Sequence, residues 1–306
     1  MWAVAQHHPD VVKVLVEHGA SVAAKSDVWA DVMAVPPHGL LEYNRSIPHG
    51  GETALLFAAR VGDLDSARIL VAAGADVNDR DAWGITTTVL AAHSGFTEFV
   101  EFLLERGADP NLAPAGFTAL HEAIMRRDER LVTVLLNHGA DPNTAVGTWT
   151  PTRRDSKDWN FHPSLVGATP FWLAARFDEP QVMRLLVKGG ADPLVVHKGV
   201  YSVDGRGGKA FEQRTDLTNA VMAAVGMGRA QAWVPIDPAR REALTLEAVR
   251  LATELGGDIN AANIDGRTAL DAAEDLKYES VVKFLNEKGA RHGVRVDSDG
   301  SAGQRR

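Results

Sequence analysis

Apolar residues arrive along this chain in paired bursts at helical spacing, each pair closed by a small-residue turn. "TALLFAARVGDLDSARILVAAGADVN", residues 53–78, places apolar side chains three and four apart, breaks at "VGD", resumes at the same spacing and stops at Gly74. "TTTVLAAHSGFTEFVEFLLERGADPN", residues 86–111, repeats the figure with Thr86 on Thr53, Ala91 and Ala92 on Ala58 and Ala59, and Asn111 on Asn78, an offset of 33. Residues 118–143, 169–193 and 268–290 carry it further as "TALHEAIMRRDERLVTVLLNHGADPN", "TPFWLAARFDEPQVMRLLVKGGADP" and "TALDAAEDLKYESVVKFLNEKGA". The spacing predicts two helices per unit. Each pair keeps an apolar face that only a neighbour can cover, so stability is summed over adjacent units.

These units resemble ankyrin repeats, of a bacterial type with long finger insertions. The matching residues are the Thr opening the first helix (Thr53, Thr118, Thr169, Thr268), the Ala pair that lets helices approach closely, and the Gly-Ala-Asp closing the second. The Thr hydroxyls suit free N–H groups of a first turn, and Gly74, Gly107 and Gly139 suit a left-handed helix stop. The resemblance implies an all-α solenoid of about seven helix-turn-helix units in a single domain over residues 1–290. Repeats are expected near 1–22, 51–80, 84–113, 116–145, 167–194, 216–260 and 266–290, with inserts at 23–50, 145–167 and 195–215. The sixth unit is the blurred one, its register loose around Thr215 to Asn219. Residues 291–306 lack an apolar face and are expected to be a disordered tail. Aligning Gly19 with Gly74 puts Met1 inside a first helix, as in a piece of a longer parent.

Composition narrows the functional classes. The chain has 306 residues, 45% hydrophobic and 24% charged, ample for a core. A formal net charge of -8 argues against sequence-independent binding to nucleic acid or to an anionic membrane surface. Zero cysteines remove disulfides and thiolate ligands and leave the redox compartment undetermined. The N-terminal residues carry no signal-peptide pattern, and no apolar run reaches the ~18 residues of a membrane span.

The three inserts all replace the short turn between repeats, which in the family projects as a finger beside the binding side, the concave face. The insert "TWTPTRRDSKDWNFHP" offers Trp149, Arg153, Arg154 and Trp159, residue types that dominate interface hot spots. The residue after the Ala pair faces the same groove: Arg60, His93, Met125 and Arg176 in successive units, with Arg126 beside Met125. Before the capping Thr stand Glu52 and Phe117, and Trp83 shares a finger; Trp83 and Phe117 can equally pack the finger bases. A binding module for a protein or peptide, monomeric and needing no cofactor, is the expected function.

The chemical motifs are weak beside this. His121 in "TALHEA" occupies the family's histidine position, where the ring ties turns together, and "HEAIM" lacks the second histidine of a zinc helix. His7 and His8 are adjacent and point apart, and "GRGGK" at 205–209 lacks phosphate-loop spacing, so no metal is expected. The runner-up is a small-molecule or hydrolase-type pocket in which His93, Ser94 and Glu52 converge with His38, His49 and His162 of the fingers, Arg60 or Arg176 holding an oxyanion. A closed pocket of several hundred Å³ lined by His and carboxylates would favour it.

Overall fold

In the computed structural model the described residues are 1–33, 45–150, 161–203, 212–296 and 302–303. They form two compact units, one of residues 1–141 and one of residues 142–150 and 161 onward. None of their helices is long and apolar enough to cross a membrane.

The first unit holds four helix pairs: α1 (Trp2–Ala5) with α2 (Pro9–Glu17), α3 (Ala54–Val61) with α4 (Leu64–Ala72), α5 (Thr87–Ser94) with α6 (Thr97–Glu105), and α7 (Ala119–Met125) with α8 (Glu129–Asn137). First helices pack on first helices, α1 on α3, α3 on α5 and α5 on α7, while α2 packs on α4 and α6 on α8. The layers come close because Ala58, Ala59, Ala91 and Ala92 are fully buried where they meet. A hairpin of β1 (Val28–Met33) and β2 (Arg45–Gly50) stands between the first and second pairs.

In the second unit α9 (Pro170–Arg176) pairs with α10 (Pro180–Lys188), α11 (Ala220–Ala224) with α12 (Pro238–Glu254), and α13 (Ala269–Asp275) with α14 (Glu279–Glu287). Here α11 packs on both α9 and α13, and α12 on both α10 and α14. A second hairpin, β3 (His197–Val203) with β4 (Glu212–Thr218), precedes α11. The fold is helical with some short strands, and the strands before α3 and α11 form hairpins. In the expected tail, β5 (Arg295–Val296) pairs with β6 (Ala302–Gly303).

Caps follow the sequence with two exceptions. Thr86, Thr118 and Thr169 accept backbone N–H groups of the first turn, whereas Thr53 makes no side-chain cap bond and Asp271 completes the cap at Thr268. His121 is structural, as expected: its Nδ1 accepts from the Thr118 N–H at 3.0 Å. Gly74, Gly107 and Gly139 sit at φ of 92°, 88° and 84°, the left-handed stop. The blurred sixth unit resolves at Asn219, whose Oδ1 takes the Met222 N–H at 3.0 Å where other units use Thr.

Asparagines stitch one pair to the next. The Oδ1 of Asn78 accepts from Asp109 N at 2.8 Å, that of Asn111 from Asp141 N at 2.7 Å, and that of Asn143 from Asp192 N at 2.8 Å. Ala23 and Leu194 occupy the equivalent places just before the two hairpins. At the first of these, Lys25 substitutes: its ammonium donates to Asp79 Oδ1 at 2.7 Å and to Arg80 O at 3.1 Å.

Candidate binding surface

In the first unit the β1–β2 hairpin is tied down at its base and exposes three apolar side chains of β1. Ser26 N donates to Glu52 O at 2.9 Å, Glu52 N to Ser26 Oγ at 3.1 Å, and Ala82 N to Gly50 O at 2.9 Å. Beyond those bonds Val28, Trp29 and Val32 are 62%, 55% and 72% exposed. The Trp29 ring stacks on His49 at 5.8 Å between centroids and 23° between planes, which limits its rotamers before any contact is made. The next turn is rigid too: Asp81 Oδ1 gathers the N–H groups of Trp83, Gly84 and Ile85 at 2.9, 2.8 and 2.8 Å. Trp83, half-buried, lies edge-on to Phe117 at 6.4 Å.

Most of the predicted cations are committed within the protein. Arg60 pairs with Glu52 while keeping about half its side chain in solvent. Burial raises the Glu52 carboxyl above its ordinary range, the nearby Asp81 adds to the rise, and Arg60 opposes it. Arg126 donates from Nη1 to the His93 carbonyl at 2.7 Å, satisfying one of the free C=O groups that end α5. His93 Nδ1 meets Glu122 Oε2 at 3.1 Å, and Glu122 is completely buried.

Phe117 and Met125 depart from the expected surface. Both are 0% exposed and belong to the core. Repeat position fixes where a Cα lies, but an apolar side chain there folds inward while Arg reaches out, so Met125 at the Arg60 position offers nothing to a partner.

In the second unit Trp149 is half-buried and Arg176 donates to the carbonyls of Gly228 and Ala230 at 3.2 and 2.9 Å, in the loop that follows α11. Arg153, Arg154 and Trp159 lie outside the described residues, as does His38. The base of their insert is pinned: Thr150 N donates to Phe161 O at 3.0 Å, Phe161 N to Thr150 Oγ1 at 2.8 Å, and the buried Phe161 ring meets Trp233 edge-on at 5.5 Å. Arg229 lies over the Tyr201 ring at 4.4 Å.

Among the described residues, the histidines of the catalytic reading each have their own partners. His49 stacks on Trp29, His93 meets Glu122 in place of Glu52, and His162 caps a one-turn 3-10 helix, Pro163–Leu165, through Ser164. Burial, then the Arg229 charge, lowers the His162 pKa. A recess of about 250 Å³ in the first unit is lined by Gly62, Phe96, Thr97, Glu98 and Arg130 among others, none of them a predicted site residue or a histidine. Sequence reasoning passed over Trp29, Glu122 and Trp233, and named His49 only for the catalytic alternative. Only Trp29 had a visible signal, the short Val- and Trp-bearing apolar run "VWADVM" broken by a single Asp31.

Known proteins match the repeats of this chain. The family model "Ankyrin repeats (3 copies)" matches residues 55–146, and "Ankyrin repeat" matches residues 1–27 and 166–198. A mitochondrial disaggregase of Bos taurus is 29% identical over 179 residues, 58% of this chain and 24% of that protein. The Homo sapiens mitochondrial disaggregase is 29% identical over 168 residues, 50% of this chain and 24% of that one. Ankyrin repeat and SAM domain-containing protein 6 of Rattus norvegicus is 38% identical over 80 residues, 26% of this chain and 9% of that protein. The chain thus spans a quarter or less of the length of these relatives. They are mammalian and lend the bacterial type no support. Among solved structures, the human ASB11 ankyrin repeat domain superposes with a TM-score of 0.59 at 20% identity, covering 94% of this chain and 96% of that one.

Proposed function

Because the chain belongs to the ankyrin-repeat family, whose repeats generally mediate protein interactions, we propose that it is a binding module for a protein or peptide. In this reading about seven helix pairs carry fingers at 23–50, 145–167 and 195–215, and the partner lies along the fingers and the neighbouring ends of the first helices. The observation that carries it is the β1–β2 hairpin, where three large apolar side chains stay exposed on a base held by backbone bonds. Exposed apolar surface on a rigid support is costly in water unless something covers it. Glu52, Arg60, Trp83, His93, Arg126, Trp149 and Arg176 are the proposed flanking contacts, with Arg153, Arg154 and Trp159 of the second insert. Phe117 and Met125 are set aside as core.

The test is Trp29→Ala in the full chain. A partner captured from the source cell with wild-type protein is purified, and its dissociation rate is measured against both forms. If Trp29 is a buried anchor, release accelerates about 30-fold, the equivalent of about 2 kcal/mol, with the melting temperature unchanged. Unchanged release removes the first hairpin from the contact surface. A lowered melt with slower binding would make Trp29 a packing residue instead.

A further inference from the structure

We propose that Glu122 makes the α5–α7 junction a proton-linked latch, held closed with the carboxyl protonated and loosened when it ionises. This goes beyond partner binding, because it concerns what holds the first unit's helix pairs together.

Glu122 lies mid-way along α7 with no solvent exposure. One oxygen, Oε2, meets His93 Nδ1 across the junction at 3.1 Å, and the other, Oε1, is buried with no hydrogen-bond partner. A carboxylate oxygen stranded in this way forfeits its hydration without replacement. Protonation relieves the strain: the acid's O–H can donate to Nδ1, and the remaining oxygen becomes a carbonyl, whose missing partner costs far less than that of an anion.

The surrounding charges are too few or too occupied to reverse this. From α5 the facing group is His93 itself. On α7, His121 is engaged with Thr118, and Arg126 directs Nη1 to the His93 carbonyl at 2.7 Å. Packed on α7, α8 is capped by Asp128, whose oxygens accept from Leu131 N at 2.9 Å and Thr97 Oγ1 at 3.1 Å, and the Glu129 and Arg130 side chains are exposed. Burial accordingly raises the Glu122 carboxyl above its ordinary value, with the His93 bond and charge and then the Arg126 charge opposing. The sign follows. A carboxyl whose folded pKa lies above its unfolded one contributes stability that is fully present below the unfolded value, about 4.3, and is lost as pH rises through the folded value.

Two measurements on the full chain test the latch. Glu122→Gln keeps shape and removes titration, so its melting temperature should exceed wild type by about 2 °C or more at pH 8, the gap closing toward pH 4.5. His93→Ala removes the group that favours the anion, and the pH-dependent loss should grow. A Gln variant less stable than wild type at pH 8, or offset equally at every pH, would overturn the proposal. Should the variants misfold, carboxyl carbon NMR of wild-type protein reads the Glu122 midpoint directly, and a midpoint at or below the ordinary glutamate range would overturn it equally.

Discussion

Trp172→Ala is expected to destabilise the second unit by about 3–5 kcal/mol, toward the upper end of that range. Trp172 stands in the first turn of α9, 1% exposed, and holds three other segments. Its ring meets the His197 imidazole of β3 at 4.3 Å, and its indole N–H donates to Thr218 at the end of β4, to the carbonyl at 3.2 Å and the hydroxyl at 3.1 Å. The chain after α11 presses on the same ring: a Cβ at Gly228 would sit 3.0 Å from the indole, and its φ of +84° already favours glycine. Truncation leaves a cavity among walls that belong to separate elements, and it strands the Thr218 acceptor, which puts the expected loss toward the upper end of that range. Buried His197, whose pKa is lowered by burial, donates through Nε2 to Ser164 O at 2.7 Å and cannot turn to fill the gap. Trp172→Phe helps separate the two contributions, keeping a six-membered ring in the space while removing the donor with the rest of the indole. Denaturant unfolding with amide exchange on β3 and β4 is the measurement. A cost below about 1 kcal/mol for Ala, or equal costs for Ala and Phe, would show that the hairpin is not held by this ring.

What could be read in the sequence was whatever repeats. Thr86, Thr118 and Gly107 recur at fixed offsets because every unit solves the same problem of starting and stopping a helix, so one solution is legible in five places. The sixth unit blurred because Asn219 replaces Thr, α12 runs to 17 residues, and a hairpin of two seven-residue strands precedes α11. The asparagines were visible as register marks while their bonding was not, since Asn78 and the backbone it holds at Asp109 are 31 residues apart. The candidate surface was less legible for a related reason. Periodicity says which Cα atoms line a face, but Arg126 and Arg176 are drawn onto neighbouring carbonyls and Glu122 is sealed by a histidine 29 residues earlier. Those are pairings between units, and no single unit's pattern contains them.

The close approach of first helices predicts a second large effect. Ala92→Leu should cost about 1–3 kcal/mol through overpacking. Ala91 and Ala92 are both 0% exposed on α5, which has α3 on one side and α7 on the other, so the added carbons have no unoccupied side to enter. Ala92→Gly adds no volume and should cost only the helical penalty of glycine, about 0.5–1 kcal/mol. Glu98→Leu serves as the surface control. Glu98 is exposed on α6 in a loose 3.5 Å pair with Arg130, and its replacement should stay within about 0.5 kcal/mol. Because neighbouring pairs support one another, the Leu variant should lose amide protection first in α5 and then in α3 and α7, before its effect appears as a global melt. Leu and Gly costing the same would mean that helix propensity, and not contact across the layer, sets the loss at this position. A neutral Leu would mean the helices around Ala92 separate at little cost. The same freedom would let water reach Glu122 without opening the junction, so a tight Ala92 and a titrating Glu122 stand or fall together.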